Sequence, residues 1–272
     1  MISDYHLHSS YSGDSQAVME DQVKRAIELG MKTICFTEHI EFDFPYENTK
    51  DEPGMWDLAT DSYLYELLRC KSKYEDDIEI YFGAEMGIDP DVGRKAAVYS
   101  HSYDFDFLIG SVHTINRMDP YYPQYWEGRS KEEAIREYFE VTHKSIRACG
   151  CFDVLGHLDY AIRYCKDKDQ DYSYDKYKDV IDPVLQFLLD KEKGLEINTA
   201  GLRKGLKDCN PCTDIVKRYH ELGGELITVG SDAHTVEDVG KDFDKAADLL
   251  RACGYEYYTV YENRMPIQRK IR

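Results

Sequence analysis

Short runs rich in β-branched and aromatic residues recur along the whole chain, and stretches with helical periodicity separate them. Strands spaced this widely do not pair through tight hairpins. A helix between them returns the chain so that each new strand lies parallel to the last. Seven runs fit: ISDYHLH, KTICFTEH, IEIYFGAEM, FDFLIGSVH, FDVLGHLD, LEINTAG and LITVGSDAH, with YEYYTVY near the C-terminus as a weaker eighth. Between them fall helical stretches such as DQVKRAIELG, LYELLRCKSKYE, RKAAVYS, KEEAIREYFEVTHKSIRAC, YKDVIDPVLQFLLDKEKG and TDIVKRYHELGG. Several end in glycine, which suits a left-handed C-cap. No low-complexity linker interrupts the pattern. A chain of 272 residues with 42% hydrophobic side chains fits one α/β barrel, a single domain over residues 1–272.

Two connections are unusually long, Ile40 to about Asp61 and Thr114 to about Lys131, and both are rich in Tyr, Trp and Pro. Long aromatic loops in a compact fold are expected to wall or cover an active site. Most His, Asp and Glu residues of chemical interest fall at the C-terminal end of a strand run. Barrel active sites sit at that face.

His6 and His8 are two apart on the first run, so both imidazoles point to one side. His39 ends the second run in TEH, Glu85 lies in GAEMG, His113 ends GSVH, His157 lies in GHLD, and Asp232 and His234 close the set in GSDAH. Asp14, in SSYSGDS, adds a third carboxylate, though alone it would pass for a turn residue or helix cap. His101, His143 and His220 fall outside the pattern and are expected not to be ligands. Imidazole with carboxylate suits Zn, Fe or Mn, and no cysteine occupies a strand end of this set. So many ligands exceed what one ion needs. Two to three divalent metal ions are expected, with Glu85 bridging, and balancing the charge of a bound phosphate monoester favours three.

The remaining composition narrows the partners. Lys and Arg total 34 against 52 Asp and Glu, a formal charge of −18, which repels nucleic acid unless a basic patch overrides it. The densest basic stretches are only Arg203, Lys204, Lys207 and the tail Arg269, Lys270, Arg272. The start of the chain lacks the pattern of a signal peptide, and no apolar run approaches membrane-spanning length. A cytoplasmic enzyme with no membrane partner is expected, its eight cysteines mostly reduced thiols. Cys209 and Cys212 form a CNPC loop with no second pair to complete a zinc finger, so a structural loop is the expectation.

The motifs HLHSSYSGD, FTEH, GAEMG, GSVH, GHLD and GSDAH resemble, in order and over the whole chain, those of the polymerase-and-histidinol-phosphatase (PHP) family. DYHLHSSYSGD, FLIGSVH, LEINTAGLRKG and VGSDAHTVEDVG look most like its histidinol-phosphatase branch. The resemblance implies a distorted (βα)7 TIM-like barrel with a trinuclear centre. The first metal would take His6, His8, Glu85 and Asp232, the second Glu85, His113 and His157, and the third Asp14, His39 and His234. Some members have histidine where this chain has Asp14. Arg163 and Arg203 match the branch's two phosphate-binding arginines, and guanidinium forks suit phosphate oxygens. The alternative for both is a solvated surface position.

The implied reaction is hydrolysis of L-histidinol phosphate in histidine biosynthesis, with a metal-bridging hydroxide attacking phosphorus. Glu85, Asp232 and His234 carry the catalytic roles. Asp232, His234 or a metal-bound water would protonate the leaving alcohol. Glu41, Asp43 and Tyr46 are candidates to meet the substrate's ammonium and imidazole. No nucleophile motif of the GxSxG, P-loop or Cys-loop-Arg type occurs. A homodimer is compatible with these features. Three alternatives stand: a PHP phosphoesterase for another small phosphate ester or phosphotyrosyl protein, an amidohydrolase-like barrel, which usually has lysine where Glu85 stands, and a non-catalytic PHP binding module.

Overall fold

The computed structural model describes residues 3–271. Ile2 of the first expected strand and Arg272 of the basic tail lie outside them. Seven strands form one parallel sheet in sequence order: β1 (Ser3–Leu7), β2 (Thr33–Glu41), β3 (Glu79–Gly87), β4 (Phe107–Ser111), β5 (Val154–Leu155), β6 (Gly194–Asn198) and β7 (Ile227–Gly230). Helices return the chain between strands: α1 (Met19–Glu28), α2 (Thr60–Lys73), α3 (Gly93–Ser100), α4 (Lys131–Ala148), α5 (Tyr174–Asp190), the short α6 (Ala200–Arg203) and α7 (Thr213–Glu221). Strands covered on both faces should be apolar throughout, and Ile34, Phe36, Ile80, Leu108, Ile197 and Ile227 are fully buried.

The sheet closes on itself only near the strand C-termini. His8 N–H donates to Ala233 O at 2.9 Å and Asp232 N–H to His6 O at 2.8 Å. Lower down, a side chain replaces the missing ladder. The buried Asp4 carboxylate accepts the backbone N–H of Ser231 at 2.9 Å and of Gly240 at 3.0 Å. The result is a nearly closed seven-stranded barrel.

Several expectations shift in detail. The eighth run does not join the barrel: β8 (Tyr257–Glu262) pairs antiparallel with β9 (Met265–Lys270) in a separate hairpin. That hairpin covers the end where the strands begin. Tyr258 OH donates to Ser3 Oγ, Ile227 N–H to Thr259 Oγ1, and Asn263 N–H to Asp106 Oδ1. The fifth run contributes only two residues to the sheet, and LEINTAG turns into α6 at Ala200. A further helix, α8 (Phe243–Ala252), is additional to the stretches singled out from sequence. The glycine caps hold at Gly30 (φ 72°) and Gly223 (φ 96°). After α5, however, Glu192 takes the left-handed position (φ 53°) and Gly194 opens β6. There a Cβ would meet Val154 Cγ1 at 2.7 Å and Leu226 O at 2.9 Å.

No helix among the described residues is long and apolar enough to cross a membrane. All eight cysteines are free thiols.

Candidate metal centre and substrate cleft

All nine residues of the expected ligand set converge at the barrel mouth. Glu85, fully buried on β3, stands at the centre. Its Oε2 lies 3.0 Å from His6 Nε2, 3.2 Å from His8 Nε2 and 3.1 Å from His39 Nδ1. Its Oε1 lies 2.8 Å from His157 Nε2 and 3.3 Å from His113 Nε2. Asp232 Oδ1 approaches His6 Nε2 at 3.8 Å, His8 Nε2 at 3.6 Å and His234 Nδ1 at 3.5 Å. Asp14 Oδ2 lies 3.0 Å from His234 Nε2 and 3.8 Å from His39 Nε2. His101, His143 and His220 belong to none of the metal-compatible groups found among the described residues.

Glu85 accepts from His6 and His157 with hydrogen-bond geometry, but other contacts in the cluster fit cation coordination better. Ligand bonds of about 2.0–2.1 Å put neighbouring donor atoms about 2.8–3.0 Å apart on an octahedral ion and about 3.3–3.4 Å apart on a tetrahedral one. His8 Nε2, His39 Nδ1 and His234 Nε2 are buried without a hydrogen-bond partner, although each has a carboxylate oxygen within 3.2 Å. Nitrogen and oxygen are close but misaligned, as expected of donors that point at a common third atom.

Local structure explains the convergence. His6, His39 and Glu85 sit within strands, whereas His8, His113, His157 and Asp232 lie one or two residues past a strand end. Asp232 occupies the left-handed region (φ 53°), sparsely populated by non-glycine residues and found where function holds the backbone in place. The neighbouring Gly230 must be glycine, because a Cβ there would meet His6 Cβ at 2.2 Å.

A second layer holds the imidazoles; of its members only Glu41 is singled out from the sequence, and there as a substrate contact. His6 Nδ1 lies 2.5 Å from Glu196 Oε1, and His113 Nδ1 lies 2.5 Å from Glu41 Oε1. His8 Nδ1 meets Ser12 Oγ at 3.0 Å, and that hydroxyl donates to the buried Glu38 Oε2 at 2.5 Å. An imidazole whose Nδ1–H donates to such a partner presents an unprotonated Nε2. Two of these residues were legible: Glu41 is two residues beyond His39 on β2, and Glu196 two before Asn198 on β6.

Charge within the cluster is unevenly shared. Burial works against protonation of His6 and His113, but Glu196 and Glu85 hold His6 well above its ordinary pKa, and Glu41 and Glu85 do the same for His113. His234, opposed by burial but facing the Asp14 carboxylate at 3.0 Å, rises to about 9. Burial and neighbouring imidazoles push His8 down to about 4 and His39 to about 3. Burial alone would raise Glu85, yet the surrounding imidazoles hold it well below the usual range. Without metal, protons stand where cations belong.

Above the cluster opens a cleft of about 350 Å³ whose lining includes Asp14, His39, Glu85, His113, His157, Asp232 and His234. Arg163 and Arg203 line it as well. Arg163 is only 3% exposed, so the solvated alternative does not apply to it. Its Nε donates to Asn210 Oδ1 at 2.7 Å, Nη2 to Asn198 Oδ1 at 2.7 Å and Nη1 to Asp232 Oδ2 at 3.0 Å. Asn210 is the middle of the CNPC loop, which thereby has a definite task in seating Arg163. Arg203 Nη2 donates to Ser231 O at 2.5 Å, while its Nη1 is buried with no partner.

Both long loops reach this cleft, through Glu41, Phe44 and Trp56 from the first and Asp119 from the second. Asp43 does not. It is exposed and paired with Lys95 Nζ at 2.5 Å. Tyr46 is also absent from the lining, its hydroxyl accepting the Trp56 N–H at 3.1 Å. Glu41 lines the cleft, but its Oε1 is committed to His113.

Residues 4–200 match the PHP domain family model. The chain belongs to the PHP family. Among its PHP relatives, the histidinol-phosphatase of Lactococcus lactis is 34% identical over 260 residues, covering 95% of this chain and 93% of its own. A probable histidinol-phosphatase of Clostridium acetobutylicum is 33% identical over 256 residues, covering 93% and 94%. The crystal structure of the Lactococcus lactis histidinol phosphate phosphatase, complexed with zinc, L-histidinol and phosphate, superposes with a TM-score of 0.86. It is 31% identical, over 97% of this chain and 98% of that one. This PHP chain therefore shares the barrel fold of that enzyme along essentially its whole length.

Proposed function

We propose that this protein is a histidinol-phosphatase, a metal-dependent phosphomonoesterase that hydrolyses L-histidinol phosphate to L-histidinol and inorganic phosphate in histidine biosynthesis. The observation that carries the reading is the cleft floor: nine imidazole and carboxylate groups at coordination spacing, beside the unpartnered Nη1 of Arg203. Full-length similarity to a relative solved with zinc, histidinol and phosphate supports it.

His6, His8, Glu85 and Asp232 would hold one ion, Glu85, His113 and His157 a second, and Asp14, His39 and His234 a third. Divalent Zn, Fe or Mn bound there would supply Lewis acidity and bring the pKa of water towards neutrality, so no protein nucleophile is required. The protein contributes position and charge. Arg163, held rigid by Asn198, Asn210 and Asp232, offers its remaining N–H groups to phosphoryl oxygens. Arg203 offers Nη1. Both aim positive charge at oxygens that gain negative charge in the transition state. Asp232 and His234 line the cleft and, with a metal-bound water, are the candidates to carry a proton to the leaving alkoxide. The reading implies a cytoplasmic enzyme that takes a small phosphate ester rather than nucleic acid.

The test measures Zn, Fe and Mn content and phosphate release from histidinol phosphate on the same sample. Stoichiometric metal with selective turnover of this ester supports the reading. A metal-loaded protein that is inert towards it, or prefers other small phosphates, defeats it.

A further inference from the structure

The cleft is electrically two-sided. Around the barrel mouth, Arg163, Arg203 and Lys204 come from the segments after β5 and β6, whereas Phe44, Trp56 and Asp119 come from those after β2 and β4. On this second side the carboxylates differ in what they already do. Glu41 is bonded to His113 Nδ1. Asp51, behind the wall, accepts from Trp56 Nε1 at 3.2 Å and Tyr122 OH at 2.9 Å.

Asp119 is different. Its Oδ1 accepts the Tyr121 backbone N–H at 2.7 Å, and Oδ2 meets no donor among the described residues. Burial pushes its carboxyl up to about 7, against the lowering pull of the Tyr121 N–H and of His113, and no Lys or Arg side chain pairs with it among the described residues. Its position is fixed in advance. The two long loops are cross-tied by Arg117 Nε to Glu47 at 3.2 Å, Asn48 Nδ2 to Arg117 O at 2.9 Å, and Lys50 N–H to Tyr122 OH at 3.2 Å. Trp56, Phe44, Tyr160 and Tyr164 supply aromatic rings around the same space. A lone carboxylate among π-faces is suited to a cationic nitrogen.

We propose that Asp119 is the specificity-determining residue for the alcohol half of the substrate, accepting a charge-assisted hydrogen bond from its ammonium or imidazolium nitrogen. The proposal rests on the phosphatase reading above and adds to it the reason a cationic phosphate ester is preferred over a neutral one. It also replaces Asp43 and Tyr46, which face elsewhere.

The test uses the metal-loaded enzyme and Asp119→Asn, a near-isosteric change that keeps an acceptor for the Tyr121 N–H. Inhibition constants are measured for L-histidinol and for inorganic phosphate, and kcat/KM for histidinol phosphate and p-nitrophenyl phosphate. The expected result is a histidinol inhibition constant raised about tenfold or more while that of phosphate holds, with the kcat/KM ratio between the two esters falling by a similar factor. Repeating the inhibition with the deaminated analogue of histidinol separates the two nitrogens: an effect that disappears assigns the contact to the ammonium, and one that persists assigns it to the imidazole. An unchanged histidinol constant overturns the proposal. So does an Asn variant that loses metal or phosphate inhibition in parallel, because that is a merely structural role. A wild-type enzyme that cleaves p-nitrophenyl phosphate but not histidinol phosphate overturns the substrate reading itself, and this proposal with it.

Discussion

Glu196 is the sharpest place to perturb the centre without touching a proposed ligand. Its side chain is 1% exposed, with Oε1 at His6 Nδ1. Oε2 accepts the His157 backbone N–H at 2.9 Å and Asn198 Nδ2 at 3.3 Å. Both oxygens therefore act as acceptors. Glu196→Gln keeps the shape but has only one acceptor. If its carbonyl faces His6, its NH2 opposes two donors, and a buried unsatisfied donor costs about 1–3 kcal/mol. If it turns the other way, the NH2 faces His6 Nδ1 and favours the tautomer that protonates Nε2, the atom facing Glu85. Either arrangement weakens His6 as a ligand. Loss of an outer partner of this kind typically lowers metal affinity roughly 10–100-fold, and each tenfold step corresponds to about 1.4 kcal/mol. The assay is zinc competition against a chromophoric chelator at pH 7, with melting curves recorded with and without zinc. The variant should lose most of the zinc-dependent rise in Tm. A folded Glu196→Gln protein that binds zinc with wild-type affinity at every site would refute the orienting role.

Three further outcomes follow from the same geometry. Glu85→Gln removes the carboxylate that faces five imidazoles, so metal content should fall and kcat should drop by at least about a hundredfold; wild-type turnover would exclude a bridging role. Arg203→Ala should leave metal content unchanged and cost about 1.5–3 kcal/mol in kcat/KM, the range for a hydrogen bond to a charged group; an unchanged kcat/KM would remove that arginine from the phosphate site. Finally, His6, His113 and His234 carry raised pKa values in the metal-free protein. Zinc loading near pH 7 should therefore release protons, about one per filled site and about three in all, measured by calorimetry in buffers of differing ionisation enthalpy. These groups bind protons more tightly than free imidazole, so apparent zinc affinity should weaken as pH falls from about 9, the value for His234. Release of no protons would show that those imidazoles are neutral before metal arrives.

Sequence discloses residues whose position follows from a period and hides those whose position follows from a closure. His6 and His8 were readable because strand alternation puts them on one side, and the same rule applied to Glu196 and Asn198 reaches the partners of His6 and Arg163. Asp14 and Glu38 follow no period: Asp14 was reached through its place after His8 in SSYSGDS and the family resemblance, and Glu38 was not reached. Asp14 reaches His234 across the gap between β1 and β7 through the irregular turn at Ser9–Ser15, and Glu38 is turned inward by Ser9 and Ser12. YEYYTVY has the composition of a barrel strand, and only the antiparallel partner β9 and contacts with strand beginnings make it a plug instead. The left-handed backbone at Asp232 has no local signature, since GSDAH contains a glycine at Gly230 that is not the residue with positive φ. Asp119 lay in a loop recognised as a wall. Its significance depends on which neighbouring carboxylates are already engaged, and composition cannot supply that.

The protein's overall charge of −18 stands at odds with a phosphate dianion as substrate until the charges are placed. Asp14, Glu85 and Asp232 form the inner set, and Glu38, Glu41 and Glu196 stand behind His8, His113 and His6. The inner set leaves three divalent ions with a surplus of positive charge that the outer carboxylates offset, Glu38 only in part because burial raises it to about 7, whereas two ions facing the same carboxylates would leave the pocket anionic and unfavourable to a dianion. The substrate's two negative charges then fall to Arg163 and Arg203, the two guanidiniums lining the cleft. Acidity elsewhere on the surface acts through solvent and salt and is screened over about 10 Å, while these groups act at contact. On this placement the arginines match the phosphoryl charge and the outer carboxylates match the metals. Removing an outer carboxylate should therefore be read first in metal affinity, and removing an arginine first in phosphate affinity.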